Sequence, residues 1–327
     1  MKVWVVGGAG YIGSHVCKAL QEAGHQPVVF DNLSSGRRSN LPAGTLFRQG
    51  DLLDTDGLLS AAREFPFDGV IHLAALKAAD ESMREPERYS RNNIVGSLNL
   101  VEAVHQAGIS RLVFSSTAAV YGEPDYVPID EKHPVRPGNY YGQTKWMVES
   151  MLKWYGQLRG LRYVILRYFN AAGYDPEGTL TGLERNPANL LPVVMETAMG
   201  WRPKLSVYGR DYPTRDGTCV RDYIHVSDLA AAHVKSLEYL TAGNENLTLN
   251  LGSGTGITVM EMVKKAERIT GREIPFAWAP RRPGDMAEVI ASSALAADKL
   301  GWVPKFSDAE SLLSTTWKAY QANIQAS

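Results

Sequence analysis

The sequence predicts an α/β chain built on a doubly wound parallel sheet with a smaller mixed lobe, and three observations carry that reading. Short β-branched runs alternate with longer amphipathic stretches through the first 170 residues, the pattern of βαβ units. The short runs are near-continuously apolar, as strands buried on both faces are. The first of them leads directly into a glycine-rich turn and then an amphipathic stretch.

Taken in order, 3–6 (Val-Trp-Val-Val) is a strand, and 12–23 is a helix whose apolar residues Ile12, Val16, Ala19, Leu20 and Ala23 share one face. Residues 27–30 and 70–73 are the next strands, separated by a short helix over 58–63. A helix over 93–107 precedes a strand at 111–115, and a long helix over 141–158 precedes a strand at 163–167. Beyond 171 the pattern breaks up. Gly, Pro and Asn scatter through 171–187 and 201–216, which read as loops. Helices are expected at 189–199, 226–240, 259–270 and 307–322, and a strand at 247–251. We therefore expect a nucleotide-binding domain over 1–170, with segments near 218–228 and 246–252 returning to its sheet, and a second lobe over 171–327.

Lys plus Arg total 34 against 35 Asp plus Glu, a net charge of −1. That balance offers no bulk attraction to nucleic acid or to an anionic membrane surface. No apolar run approaches the ~20 residues that span a bilayer. The two cysteines, Cys17 and Cys219, are too few for a disulfide framework. With no signal-like N-terminus, a cytoplasmic location is expected.

The turn reads Gly7-Gly-Ala-Gly10-Tyr-Ile-Gly13. Glycines let the backbone approach a pyrophosphate, and the helix that follows offers free N–H groups and a partial positive charge. With 30 glycines in the chain, that spacing arises by chance about 0.25 times, so its place between first strand and first helix gives it weight. Asp31 ends the second strand, where a carboxylate accepts hydrogen bonds from an adenosine ribose. These features make the sheet Rossmann-type and predict a dinucleotide. The Asp31 charge would repel a 2′-phosphate, favouring NAD over NADP; Arg37 and Arg38 argue the other way, but surface arginines are commonplace.

Tyr141 and Lys145 lie four residues apart on one helix face. The preceding strand ends in the hydroxyl cluster Ser115-Ser116-Thr117. A sugar hydroxyl losing hydride from its carbon must also lose a proton to a base. Free tyrosine titrates near ~10. A nearby cation lowers that, so Lys145 together with a nicotinamide charge is expected to make Tyr141 a phenolate, with Thr117 bonding the reacting oxygen.

An ordered series of runs then resembles one family over essentially the whole chain. It comprises Gly7 to His15, Asp31-Asn-Leu33, Gly50-Asp51, His72 to Lys77, Asn92-Asn93, Phe114 to Gly122, Tyr140 to Lys145, Leu166 to Asn170, Asn189-Leu190, Arg221 to His225, and Arg281 to Asp285. The chain resembles the extended short-chain dehydrogenase/reductases, and within them it is similar to the UDP-glucose 4-epimerase branch. That resemblance implies reversible inversion at C4 of a UDP-hexose through a transient 4-keto sugar, with NAD retained and Thr117, Tyr141 and Lys145 catalytic. It implies cofactor contacts from Gly7, Gly10, Tyr11, Ile12, Gly13, Asp31, Asn32, Asp51, Leu52, Lys77, Asn92, Ser115, Tyr141, Lys145 and Phe169. It implies substrate contacts from Lys77, Thr117, Tyr141, Asn170, Asn189, Leu190, Tyr208, Arg221, Arg282, Asp285 and Val289. A small residue at Val289 implies room for N-acetylated sugars. Ala118 and Ala119 stand where related dehydratases carry an acid. The competing readings are another nucleotide-sugar dehydrogenase or dehydratase, and a nucleotide-sensing protein without catalysis. The resemblance also implies a homodimer, with the helices at 93–107 and 141–158 pairing with those of a second copy as a four-helix bundle.

Overall fold

The computed structural model describes residues 1–184, 187–282 and 284–325. The first half of the chain runs β1 (Lys2–Val6), α1 (Tyr11–Glu22), β2 (Gln26–Asp31), β3 (Leu46–Gln49), α2 (Thr55–Glu64), β4 (Gly69–His72) and the one-turn helices α3 (Ala79–Ser82) and α4 (Pro86–Tyr89). It continues through a π-helical turn at Ser90–Val95 into α5 (Gly96–Gln106), β5 (Arg111–Thr117), α6 (Tyr140–Arg159) and β6 (Arg162–Tyr168). The second half contains β7 (Asn170–Ala172), α7 (Leu190–Ala198), β8 (Leu205–Tyr208), β9 (Val220–His225), α8 (Val226–Thr241) and β10 (Leu247–Leu251). It closes with β11 (Gly256–Thr258), α9 (Val259–Thr270), β12 (Phe276–Ala279), β13 (Glu288–Val289), α10 (Ala294–Leu300) and α11 (Ala309–Gln325).

Among the described residues, seven strands form one sheet in the order β10-β6-β5-β4-β1-β2-β3, with every neighbouring pair parallel. Its strands are apolar on both faces because both faces are covered. Val3 and Val5 of β1 pack with Val16, Cys17 and Leu20 of α1 and Leu229 and Leu237 of α8. Trp4 and Val6 point the other way, toward Leu58 of α2, Leu100 and Val104 of α5, and Val148 and Leu152 of α6. The chain travels outward from β1 to β2 and β3, then resumes on the other side of β1 at β4. The crossover loops therefore part at the carboxyl ends of β1 and β4, opening the crevice where ligands of such sheets bind.

The remaining strands form a second, mixed sheet, in which β9 pairs in parallel with β7 and β13 and antiparallel with β11, and a separate parallel pair β8–β12. A third apolar core, including Leu191, Val194, Leu205, Met262, Leu312 and Leu313, joins α7, α9 and α11 to these strands.

Of the two segments expected to return to the main sheet, 246–252 holds β10, which pairs with β6 from Leu247↔Val164 to Leu251↔Tyr168. The 218–228 segment differs: β9 stays in the second sheet, and the helix after it lies on the first. Asp222, fully buried, accepts at its carboxylate from the N–H groups of Ser253 (2.7 Å), Gly254 (3.0 Å) and Ala291 (3.0 Å), tying β9 to the segment between β10 and β11 and to the residues after β13. The 201–216 stretch, expected as loop, contains β8. The edge strand β3 was also missed: it is four residues long and half-exposed, with too little periodicity to read. No helix among the described residues is long and apolar enough to cross a membrane.

Candidate active site

The crevice at β1 and β4 is a cleft of about 390 Å³ whose walls include Gly7, Gly10, Tyr11, Ile12, Gly13, Asp31, Asn32, Asp51, Leu52, Lys77, Asn92, Thr117, Tyr141, Lys145, Phe169 and Asn170. The glycine turn is shaped by two different constraints. A Cβ on Gly13 would lie 2.4 Å from Gly7 O and 2.6 Å from Gly8 Cα, so α1 presses directly on the turn. A Cβ on Gly10 would meet only Gly7 O, at 3.5 Å, so the protein itself leaves that side free. Gly10 is also the N-cap of α1 and has no side chain to cap it, which leaves the N–H groups of the first turn for a ligand.

Asp31 is 8% exposed; Oδ2 accepts from Ala9 N–H (2.9 Å) and Oδ1 from Leu33 N–H (2.8 Å). Both bonds fix the carboxylate at the cleft wall, while burial raises its pKa. Asn32 donates to Asp51 Oδ2 (2.8 Å), joining the tips of the β2 and β3 loops. Arg38 stacks on Phe47, 5.2 Å from the ring centre. Lys77 pairs with Glu184 across the cleft mouth.

Tyr141 is delivered by the first turn of α6, whose N-cap Asn139 accepts from Gly142 N–H (2.9 Å). Gly142 is obligatory there, because a Cβ would lie 2.4 Å from Ala119 O. That close approach puts Tyr141 against the end of β5, where the Thr117 hydroxyl hydrogen-bonds the phenol. Lys145, one turn on and 3% exposed, donates from Nζ to Ser115 O (2.8 Å) and lies 4.8 Å from the Phe114 ring centre. An ammonium has three donors. Only this one acceptor for Lys145 is found among the described residues, so its remaining donors face the cleft.

The electrostatics differ from expectation. Burial pushes Tyr141 up to about 12, opposed only by the Thr117 hydrogen bond. Burial also pulls Lys145 down to about 7, against the opposing charge of Glu149. The chain's own groups therefore keep the phenol protonated at neutral pH: desolvation outweighs the expected acidification by the lysine.

A second cavity of about 450 Å³ adjoins the cleft and shares Asn170, Ala171 and Asn189 with it. Leu190, Tyr208, Arg221, Arg282 and Asp285 line it. Arg282 lies flat on Tyr208, 3.8 Å from the ring centre. Arg221 is held by Met286 O (2.8 Å) and the Asp285 carboxylate (3.3 Å). Pro283, between Arg282 and Gly284, lies outside the described residues.

Two expected site residues sit elsewhere. The Ser115 hydroxyl points behind the sheet to His233 Nε2 (2.7 Å), and only its carbonyl serves the site. Val289 lies on neither cavity wall; it is buried with Val120, Tyr121, Ile129, Phe169 and Ala291. Tyr168, Leu183, Glu184 and Lys204 line the cavities without having been singled out. Asn93, quoted only as part of a run, clamps the loop after β4 to α6. It bonds Leu76 N–H (2.9 Å), Leu76 O (3.0 Å) and Thr144 Oγ1 (3.1 Å).

A UDP-glucose 4-epimerase of Lacticaseibacillus casei is 45% identical over 322 residues, covering 98% of this chain and 97% of that protein. The crystal structure of UDP-glucose 4-epimerase from Brucella ovis in complex with NAD superposes with a TM-score of 0.95 at 44% identity, over 98% of both chains. The enzyme of the same name from Bifidobacterium longum, in complex with NAD+ and UDP, gives 0.94 at 34% identity over 100% of both. The model of the NAD dependent epimerase/dehydratase family matches residues 3–252, and the chain belongs to that family.

Proposed function

We propose that this protein interconverts UDP-galactose and UDP-glucose by inverting C4, with Tyr141 as the proton-transfer group, Lys145 as its electrostatic partner and Thr117 as the hydroxyl that orients the reacting oxygen. The observation that carries this reading is the opening of Tyr141, Thr117 and Lys145 into the same cleft as the glycine turn and Asp31, which shares walls with an arginine-bearing cavity.

The enzyme uses NAD, and the residues present fit it. The open side of Gly10 and the uncapped α1 terminus suit a pyrophosphate, Asp31 suits a ribose diol, and the free donors of Lys145 suit a second ribose. Bound there, NAD supplies the acceptor and donor of a hydride. The positive charge of a bound nicotinamide, beside that of Lys145, would offset the desolvation that keeps the phenol protonated, and Tyr141 Oη as the phenolate takes the proton of the sugar 4-hydroxyl, held by the Thr117 hydroxyl. The 4-keto sugar must then turn over and receive the proton back from the same phenol. Such a turn needs uneven grip. Arg221 and Arg282 hold the pyrophosphate through charge-assisted bonds worth about 1.5–3 kcal/mol each, while neutral bonds to sugar hydroxyls, near ~1 kcal/mol, exchange freely. Ala118 and Ala119 bring no acid to the end of β5, so the keto sugar is returned rather than dehydrated.

We infer as a second reading that the enzyme also turns over N-acetylated UDP-hexoses; Val289, off both cavity walls, reaches the cleft only through the apolar cluster it shares with Phe169, which lines it. Incubation with each of four UDP-sugars, without added cofactor, tests both readings: product forms with no net NADH. A dehydrogenase would accumulate NADH, and a dehydratase would lose water from the sugar.

The protein forms a homodimer. Met147, Trp154 and Leu158 make one stripe along α6, respectively 45%, 61% and 66% exposed, and Val95, which ends the π-helical turn before α5, is also exposed. Trp154→Glu should convert a dimer to a monomer in sedimentation. Both cysteines are buried free thiols, as suits a reducing, cytoplasmic setting.

A further inference from the structure

Behind the catalytic cluster lies a fully buried ion pair that the reaction as described does not use. Glu149, one turn beyond Lys145 on α6, accepts from Arg167 of β6 through Nε (3.0 Å) and Nη2 (2.5 Å). It also accepts from the Ser116 hydroxyl (2.5 Å). Arg167 continues to Tyr121 Oη (3.0 Å), which donates to Asn250 Oδ1 on β10 (2.7 Å).

We propose that Glu149 is a positioning residue for the reaction: it fixes the strand end that presents Ser115 O and Thr117 Oγ1, and it is the counter-ion that keeps Lys145 charged. The proposal rests on the roles given above to Tyr141 and Lys145.

The geometric part follows from Ser116. It sits between the residue whose carbonyl holds Lys145 and the residue whose hydroxyl bonds Tyr141, and its only side-chain bond among the described residues goes to Glu149. A shift of the carboxylate therefore moves both catalytic partners together. The electrostatic part follows from what surrounds the ammonium. Glu149 on its own helix and His72 on β4 act on Lys145; one shell out, Tyr168 of β6 acts on Tyr141 and His233 of α8 bonds the Ser115 hydroxyl. Glu149 is the acid in that set, and its charge is what opposes the pull of burial on Lys145. Glu149 in turn faces Lys153, Arg167 and Tyr163. Buried ion pairs contribute little net stability against apolar replacements of the same volume, so stability is a poor reason to place one here.

The test is the pH profile of the NAD-loaded enzyme with UDP-galactose. Glu149→Gln keeps volume and an acceptor for Ser116 while removing the charge. The limb on which kcat falls with rising pH should move acidward by about one unit, as loss of a nearby opposite charge requires, with KM and bound NAD unchanged. That variant strands Arg167, so Glu149→Gln/Arg167→Met, which leaves no lone charge in place of the pair, is measured beside it and should show a smaller shift in the same direction, because it also removes a positive charge near Lys145. Ser116→Ala should lower kcat without moving the limb, and Glu149→Asp should restore the limb. Lys145→Met separates the two levels of the argument. If it keeps wild-type kcat, the reading of Lys145 falls; if it is inactive while both Glu149 variants titrate like wild type, the Glu149 proposal alone falls.

Discussion

Gly10→Ala separates folding from cofactor capture. Gly10 has φ −76° and ψ 176°, a conformation alanine adopts freely, and its Cβ would meet the protein only at 3.5 Å. Folding should therefore be unharmed, or gain about 0.4–1 kcal/mol because the unfolded chain loses freedom. The methyl would instead occupy the side from which a pyrophosphate reaches the α1 N–H groups. Losing one charge-assisted bond of about 1.5–3 kcal/mol weakens NAD binding by roughly 10- to 150-fold. Gly13→Ala is the control with the opposite outcome: its Cβ would sit 2.4 Å and 2.6 Å from backbone atoms, and overpacking there costs at least about 1–3 kcal/mol. Purified variants are compared by thermal unfolding and by the nucleotide released on denaturation. Gly10→Ala should melt like the nucleotide-free wild type and carry little NAD. A Gly10→Ala protein retaining stoichiometric NAD, or melting as low as Gly13→Ala, would refute this account of the cradle.

Tyr141→Phe should lower kcat by about 10²–10⁴, the range of general acid–base catalysis, while bound NAD measured by absorbance stays unchanged. Arg282→Ala should raise KM for UDP-galactose by roughly 10- to 150-fold, the loss of one charge-assisted bond, and leave NAD content alone. Lys145 falls to about 7 on folding from an ordinary 10.5. Between those values the unfolded chain binds a proton that the folded chain does not, so stability rises with pH across that window, by up to about 1.4 kcal/mol per unit. Below the window the cost of the buried charge is fully present. Urea midpoints of wild type and Lys145→Met should therefore converge as pH rises through the window; a constant difference would contradict the assignment.

Several site residues were legible in the chain because their chemistry is written locally. Gly7, Gly10 and Gly13 follow a strand and open a helix, and Tyr141 and Lys145 share one helical face. Other features were not legible. The side-chain direction of Ser115 depends on His233, 118 residues away, and Tyr141 titrates upward because neighbouring elements remove water from it. Val289 is turned away from the cavities by its burial among Val120, Tyr121 and Phe169.

By itself the sequence determined the parallel sheet, its glycine-rich turn and the placing of Tyr141 and Lys145 on one helix face, because short-range periodicity and spacing encode strands, helices and helix faces. Only the tertiary structure decided that β9 joins the second sheet, that the two cavities meet at Asn170 and Asn189, and that Glu149 lies behind Lys145 against Arg167. Those outcomes depend on desolvation and on partners distant in sequence, and neither quantity exists until the chain has folded.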